Sequence, residues 1–127
     1  MSTVTTIKRG GLTAAIDSMG AQLTSLALDG NEYLWQGDPA VWSGQAPICF
    51  PICGGLRDNN AMTFAGHHVK LARHGFARKQ EWKLLSQSEN ELAMCLASED
   101  NAALLSDYPY PFKLVARYTL EGDAVRV

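Results

Sequence analysis

Apolar and polar residues alternate with a period of two along much of this chain. Phe112, Leu114, Ala116, Tyr118 and Leu120 share one face of an extended segment, and Lys113, Arg117 and Thr119 share the other, with Val115 the exception. Leu12, Ala14 and Ile16 repeat the pattern, as do Leu92, Met94 and Leu96, and Trp82 with Leu84 between Glu81 and Lys83. Turn-forming residues separate these runs at Arg9-Gly10-Gly11, Asp29-Gly30-Asn31, Ala65-Gly66, Ser88-Glu89-Asn90 and Gly122-Asp123. Many short strands at close spacing predict an all-β fold, an antiparallel sandwich or barrel, rather than alternating β/α units. One short helix is expected at about residues 101–106, capped by Ser98 or Asp100. No repeat or linker divides the 127 residues, so residues 1–127 are read as part of a single domain.

The last hairpin is unbalanced. Nine residues from Phe112 to Leu120 lead into the Gly122-Asp123 turn, and only Ala124-Val125-Arg126-Val127 return. An unmatched strand edge is a liability that folds cover or close. Either another chain completes the sheet through self-association, or the polypeptide is a piece of a longer one; we read it as the second, an incomplete sandwich.

Composition removes several classes of function. A net charge of −2, with 19% charged and 46% apolar residues, gives no electrostatic case for nucleic acid or an anionic membrane as partner. The longest apolar run, residues 46–56, contains Pro47 and Pro51 and is too short to span a bilayer. The N-terminal residues show no basic start followed by an apolar stretch, so no signal peptide is visible. Three cysteines, Cys49, Cys53 and Cys95, are an odd number and are read as reduced thiols of a cytoplasmic protein. The Cys49-x-x-x-Cys53 spacing raises a metal pair, but both residues sit in an apolar run with no second ligand pair nearby. They are read as core residues and no metal is assigned. His67 and His68 beside Gly66 are read as a solvated turn for the same lack of further ligands.

The most informative stretch runs from Tyr33 to Trp82. Gly54-Gly55 near Arg57, and Gly75 beside His74, are what a close-packed polar pocket at strand ends needs, because glycine lets backbone or ligand approach without a Cβ in the way. Five segments, Gly20-Ala-Gln-Leu-Thr-Ser-Leu26, Glu32-Tyr-Leu-Trp-Gln36, Phe50-Pro-Ile-Cys-Gly54, Arg73-His-Gly-Phe-Ala-Arg78 and Asp107-Tyr-Pro-Tyr-Pro-Phe112, occur in an order that resembles the aldose 1-epimerase (galactose mutarotase-like) family. The resemblance spans nearly the whole chain. It implies an antiparallel supersandwich about twice this long, of which these residues are the N-terminal part. It also implies carbohydrate isomerase chemistry without cofactors: a general acid protonates the ring oxygen of a hexose, a base takes the C1 hydroxyl proton, and the opened aldehyde rotates and recloses. In the family the acid is a mid-chain histidine and the base a late glutamate, so no catalytic residue is expected here and the chain alone is expected to be inactive.

What the resemblance does imply here is sugar binding by a monosaccharide or sugar phosphate partner. His74 matches the family's substrate-contacting histidine; otherwise it is a structural histidine at a strand end. Many relatives carry Gly-Arg where this chain has Gly54-Gly55, and Arg57 two residues on either returns to the same face or lies on a turn in solvent. Arg78 resembles an arginine of relatives acting on hexose 6-phosphates, or it is a surface residue. Of the tryptophans, only Trp42 is a candidate sugar platform, Trp35 and Trp82 being read as core. Asp58, Asn59 and Asn60 are read as a turn, with Asp58 able to orient Arg57. A carbohydrate-binding module without turnover is the competing class.

Overall fold

The structure, a computed structural model, describes residues 1–127. Two four-stranded antiparallel sheets carry the chain. The first consists of β1 (Val4–Arg9), β2 (Leu12–Asp17), β3 (Gln22–Leu28) and β4 (Asn31–Glu32), paired in sequence order. A short hairpin of β5 (Asn60–Met62) and β6 (His68–Lys70) follows, after a long irregular segment. The second sheet holds β7 (Lys83–Gln87), β8 (Glu91–Ala97), β9 (Lys113–Glu121) and β10 (Ala124–Arg126) in the order β10-β9-β8-β7. The all-β antiparallel architecture expected from the alternation is therefore present. No helix is long and apolar enough to cross a membrane.

The hairpin turns follow from local chemistry. Asp29 and Gly30 both take positive φ, 49° and 83°, between β3 and β4, as a two-residue turn matched to strand twist requires. Along β2, Leu12, Ala14 and Ile16 face inward and are buried, and Ala116, Tyr118 and Leu120 do the same along β9. One cluster of fifteen buried residues draws Ile7, Ile16 and Leu23 from the first sheet and Leu92, Met94 and Leu120 from the second, so the sheets share a core.

β8 departs from simple alternation. Residues 92–97 are all buried, because β8 is flanked by β7 and β9 and its second face carries only Ala93, Cys95 and Ala97. Leu84, expected inside with Trp82, is 52% exposed: β7 is an edge strand whose register slips between Leu84 and Ser86. The helix is α1 (Leu104–Asp107), shorter and later than the expected 101–106, and neither Ser98 nor Asp100 caps it. The Ser98 hydroxyl instead accepts the Phe112 N–H at 3.0 Å, and Asp100 is paired with Lys83. β10 pairs only with Thr119, Leu120 and Glu121, leaving the rest of β9 without a strand on that side.

Hydrogen bonds tie the two sheets. The Tyr118 hydroxyl donates to the Ala21 carbonyl at 2.7 Å, and the Trp82 N–H donates to the Ser18 carbonyl at 2.8 Å. Burial raises the Tyr118 pKa from 10 to about 12. The phenol is thus a neutral donor in the folded protein at pH values where the unfolded chain has begun to ionise. A raised folded-state pKa stabilises fully below about pH 10, and that contribution is lost as pH climbs toward about 12. Tyr118→Phe is expected to cost about 1–2 kcal/mol at neutral pH in urea unfolding, by orphaning the Ala21 carbonyl. The variant should also show a shallower loss of stability than the parent between pH 10 and 12.

Candidate functional site

The site grows from a crossing of two irregular segments. Between Ala46, bridged to Leu23 of β3, and the turn at Arg57–Asn59, the chain forms no strand; it makes single bridges, one of them parallel, between Phe50 and Gly75. The Phe50 carbonyl accepts the N–H groups of Phe76 at 2.9 Å and Ala77 at 3.2 Å. A Cβ at Gly75 would stand 2.1 Å from that carbonyl oxygen, and Gly75 also has φ +70°. Only glycine satisfies both conditions.

This crossing presents His74. The residue has φ +68°, uncommon for a side-chain-bearing residue though histidine tolerates it better than most. A reciprocal pair of bonds holds it there: its N–H donates to the Gly54 carbonyl at 2.7 Å, and the Gly54 N–H donates to His74 Nδ1 at 2.9 Å. Because Nδ1 accepts, the hydrogen-bond network assigns the proton of the neutral ring to Nε2. The half-buried imidazole therefore offers one N–H donor, held by backbone.

Two thiols lie against the same ring. Ligating atoms of Cys49, Cys53 and His74 are all within 4.8 Å of one another. The reading of Cys49 and Cys53 as core residues is overturned: Cys53 is exposed and Cys49 half-buried, and the buried cysteine is Cys95. The cause is the irregular backbone, which does not alternate and so turns Cys53 out. Burial, then the neighbouring Cys53 thiol, pushes the Cys49 thiol up, against a smaller opposing pull from Arg78.

The other expected site residues disperse. Arg57 lies on the Arg57–Asn59 turn with its side chain 97% exposed, 3.9 Å from a nearly equally exposed Asp58. Of its two expected placements the solvent one is found, because a turn does not preserve strand facing. Asp58, at 3.9 Å and in solvent, gives that guanidinium little orientation. Arg78 is half-buried, not a surface residue; its Nη2 donates to the Arg73 carbonyl at 3.0 Å and its Nε is buried without a partner. Its main chain packs on Gly20, where a Cβ would meet the Arg78 carbonyl oxygen at 2.8 Å. Trp42 is half-exposed in a loop held to β3 by Gln45, its ring folded over Gly44 and its carbonyl bonded to Trp35 Nε1 at 2.8 Å. Trp35, expected in the core, is exposed in that loop, whereas Trp82 is buried as expected.

Arg73 was not singled out by sequence reasoning. Its Nη1 lies 3.9 Å from where a side chain at Gly55 would begin, so an arginine from the facing segment stands beside the Gly54-Gly55 pair. Its place in the Arg73-His-Gly run was the available signal. Behind the site, Phe50, Phe76, Tyr108 and Phe112 form an aromatic block with centroids 5.1–6.3 Å apart. The Asp107–Phe112 segment thus supports the crossing. Two shallow grooves of about 330 and 340 Å³ lie elsewhere, and the first has its polar groups spent on one another, Lys83 with Asp100 and Asn101 with Gln80.

An all-β double sheet carrying a backbone-held histidine in this motif order matches a known class. The aldose 1-epimerase sequence profile matches residues 3–127, and the chain belongs to that family. It is 43% identical over 128 residues to the protein LacX, plasmid, of Lactococcus lactis subsp. lactis, a match covering 94% of this chain and 41% of the relative. Its fold is similar to that of a galactose mutarotase related enzyme from Lactobacillus acidophilus (TM-score 0.86, 28% identity, 94% of this chain and 39% of that one). A galactose mutarotase-like protein from Lactobacillus casei ATCC 334 is equally similar (TM-score 0.86, 29% identity, 94% and 40%). The chain spans about two-fifths of the length of these relatives.

Gly75→Ala is expected to lower stability by at least about 2 kcal/mol in urea unfolding, since a backbone carbonyl must move and φ is strained. Gly66→Ala, with similar φ and open space around its Cβ, should cost only about 1 kcal/mol. Equal losses would show that the Phe50 contact is not close.

Proposed function

We propose that this chain supplies sugar-positioning residues of an aldose 1-epimerase-type carbohydrate isomerase, and that the acid and base interconverting α and β anomers lie outside residues 1–127. The observation that carries the reading is the His74 ring, whose Nδ1 is occupied by the Gly54 N–H and whose Nε2–H is left to donate to a sugar oxygen. A donor fixed by backbone loses little freedom on binding, which is what a positioning residue requires. Anomer interconversion needs a matched proton donor and acceptor. The titratable groups gathered with His74 are the thiols of Cys49 and Cys53. Family membership and the mutarotase-like neighbours support the same substrate class.

A free hexose is the substrate favoured. Phosphate recognition would use Arg57 and Arg78 together, yet Arg57 stands in solvent and Arg78 is bonded to its own turn. Saturation-transfer NMR with D-galactose and D-glucose should detect weak binding, with affinity falling about tenfold in His74→Ala, the loss of one hydrogen bond. Polarimetry on freshly dissolved α-D-galactose should show no acceleration over buffer. A clear acceleration that disappears in His74→Ala would overturn the placement of the acid and base. Undiminished binding in that variant would overturn the role of His74.

A further inference from the structure

We propose that Cys49, Cys53 and His74 form a binding site for a thiophilic divalent cation, zinc in the first instance. The sequence offers only a cysteine pair in an apolar run. Folding adds what that pair lacks: the Phe50–Gly75 crossing brings in an imidazole from more than twenty residues away, and the three ligating atoms come within 4.8 Å of one another. Two thiolates and an imidazole are a donor set that selects zinc and its soft congeners over magnesium or calcium.

The geometry needs only small adjustment. Zinc–sulfur bonds of about 2.3 Å and zinc–nitrogen bonds of about 2.0 Å at a tetrahedral centre put the ligand atoms roughly 3.6–3.8 Å apart, so each separation has to close by about 1.2 Å at most. Cys53 is exposed and Gly54 has open space around its Cβ position, so this side of the cluster is open to solvent. Three protein ligands leave a fourth position for water. On binding, each thiol releases its proton as its sulfur–metal bond forms, two protons per ion, and the ion gives up waters in exchange.

The tautomer assigned above sets a consequence. Ligation through Nδ1 displaces the Gly54 N–H, and ligation through Nε2 removes the N–H offered to sugar. Zinc and sugar compete in the second mode, whereas in the first the Nε2–H still faces the sugar. That competition rests on the sugar-binding reading, whereas the metal site does not.

Cobalt(II) titration of the reduced 127-residue chain tests the site without sugar. One equivalent should bind, giving thiolate-to-cobalt charge transfer and the intense visible bands of four-coordinate cobalt, both bleached by zinc. Cys49→Ser and Cys53→Ser should each weaken binding about tenfold or more and halve the charge-transfer intensity; His74→Ala should retain charge transfer and shift the visible bands. Cys95→Ser, altering a buried cysteine outside the cluster, should change neither. Absence of charge transfer in the reduced parent, weak six-coordinate bands, or bands that survive in the Cys49→Ser/Cys53→Ser double variant would overturn the proposal. A positive titration with no sugar binding would sink the sugar reading alone.

Discussion

The candidate site depends on one close approach, that of the Phe50 carbonyl to the backbone of Gly75. Two N–H groups converge on this oxygen, from Phe76 and Ala77, in space that any Cβ at residue 75 would occupy. A carbonyl with two donors is well satisfied, and the paired bonds fix both position and twist of the segments that meet there. His74 is the residue next to the contact, and its positive φ persists because Gly54 grips it from two sides. Remove the approach, and neither the orientation of His74 nor its place beside the two thiols is held.

The rest of the molecule supports that crossing. The aromatic block seats both segments against the Asp107–Phe112 stretch, and Ile48, Phe50 and Phe76 reach onto the shared core. The Tyr118–Ala21 bond ties β9 to the turn between β2 and β3, next to the glycine on which Arg78 packs. Sheet packing and site geometry are therefore coupled: a shift between sheets moves the Arg73–Arg78 turn and, with it, His74.

Strands were legible because their signal is local. Leu12, Ala14 and Ile16 alternate, Gly10 and Asp29-Gly30 turn, and nothing distant overrides them. The helix cap was misread because the Ser98 hydroxyl is claimed by Phe112, fourteen residues on. Residues 46–56 were the harder case. Their apolar character resembles a buried strand, yet the chain there makes isolated bridges, so alternation fails, Cys53 faces solvent and Arg57 lands on a turn. His74 could be singled out from its motif, but the thiols against it and the nearby Arg73 arise from the meeting of two segments, which no spacing along one of them encodes.

Backbone contacts hold the His74 ring with Nδ1 accepting from the Gly54 N–H and Nε2 protonated. Long-range proton–nitrogen correlation NMR of the histidine side chains, at a pH where the ring is neutral, reads this directly. An unprotonated Nδ1 and a protonated Nε2 are expected for His74, averaging toward a tautomer mixture in Gly75→Ala. A dominant Nδ1–H form in the parent protein would contradict it.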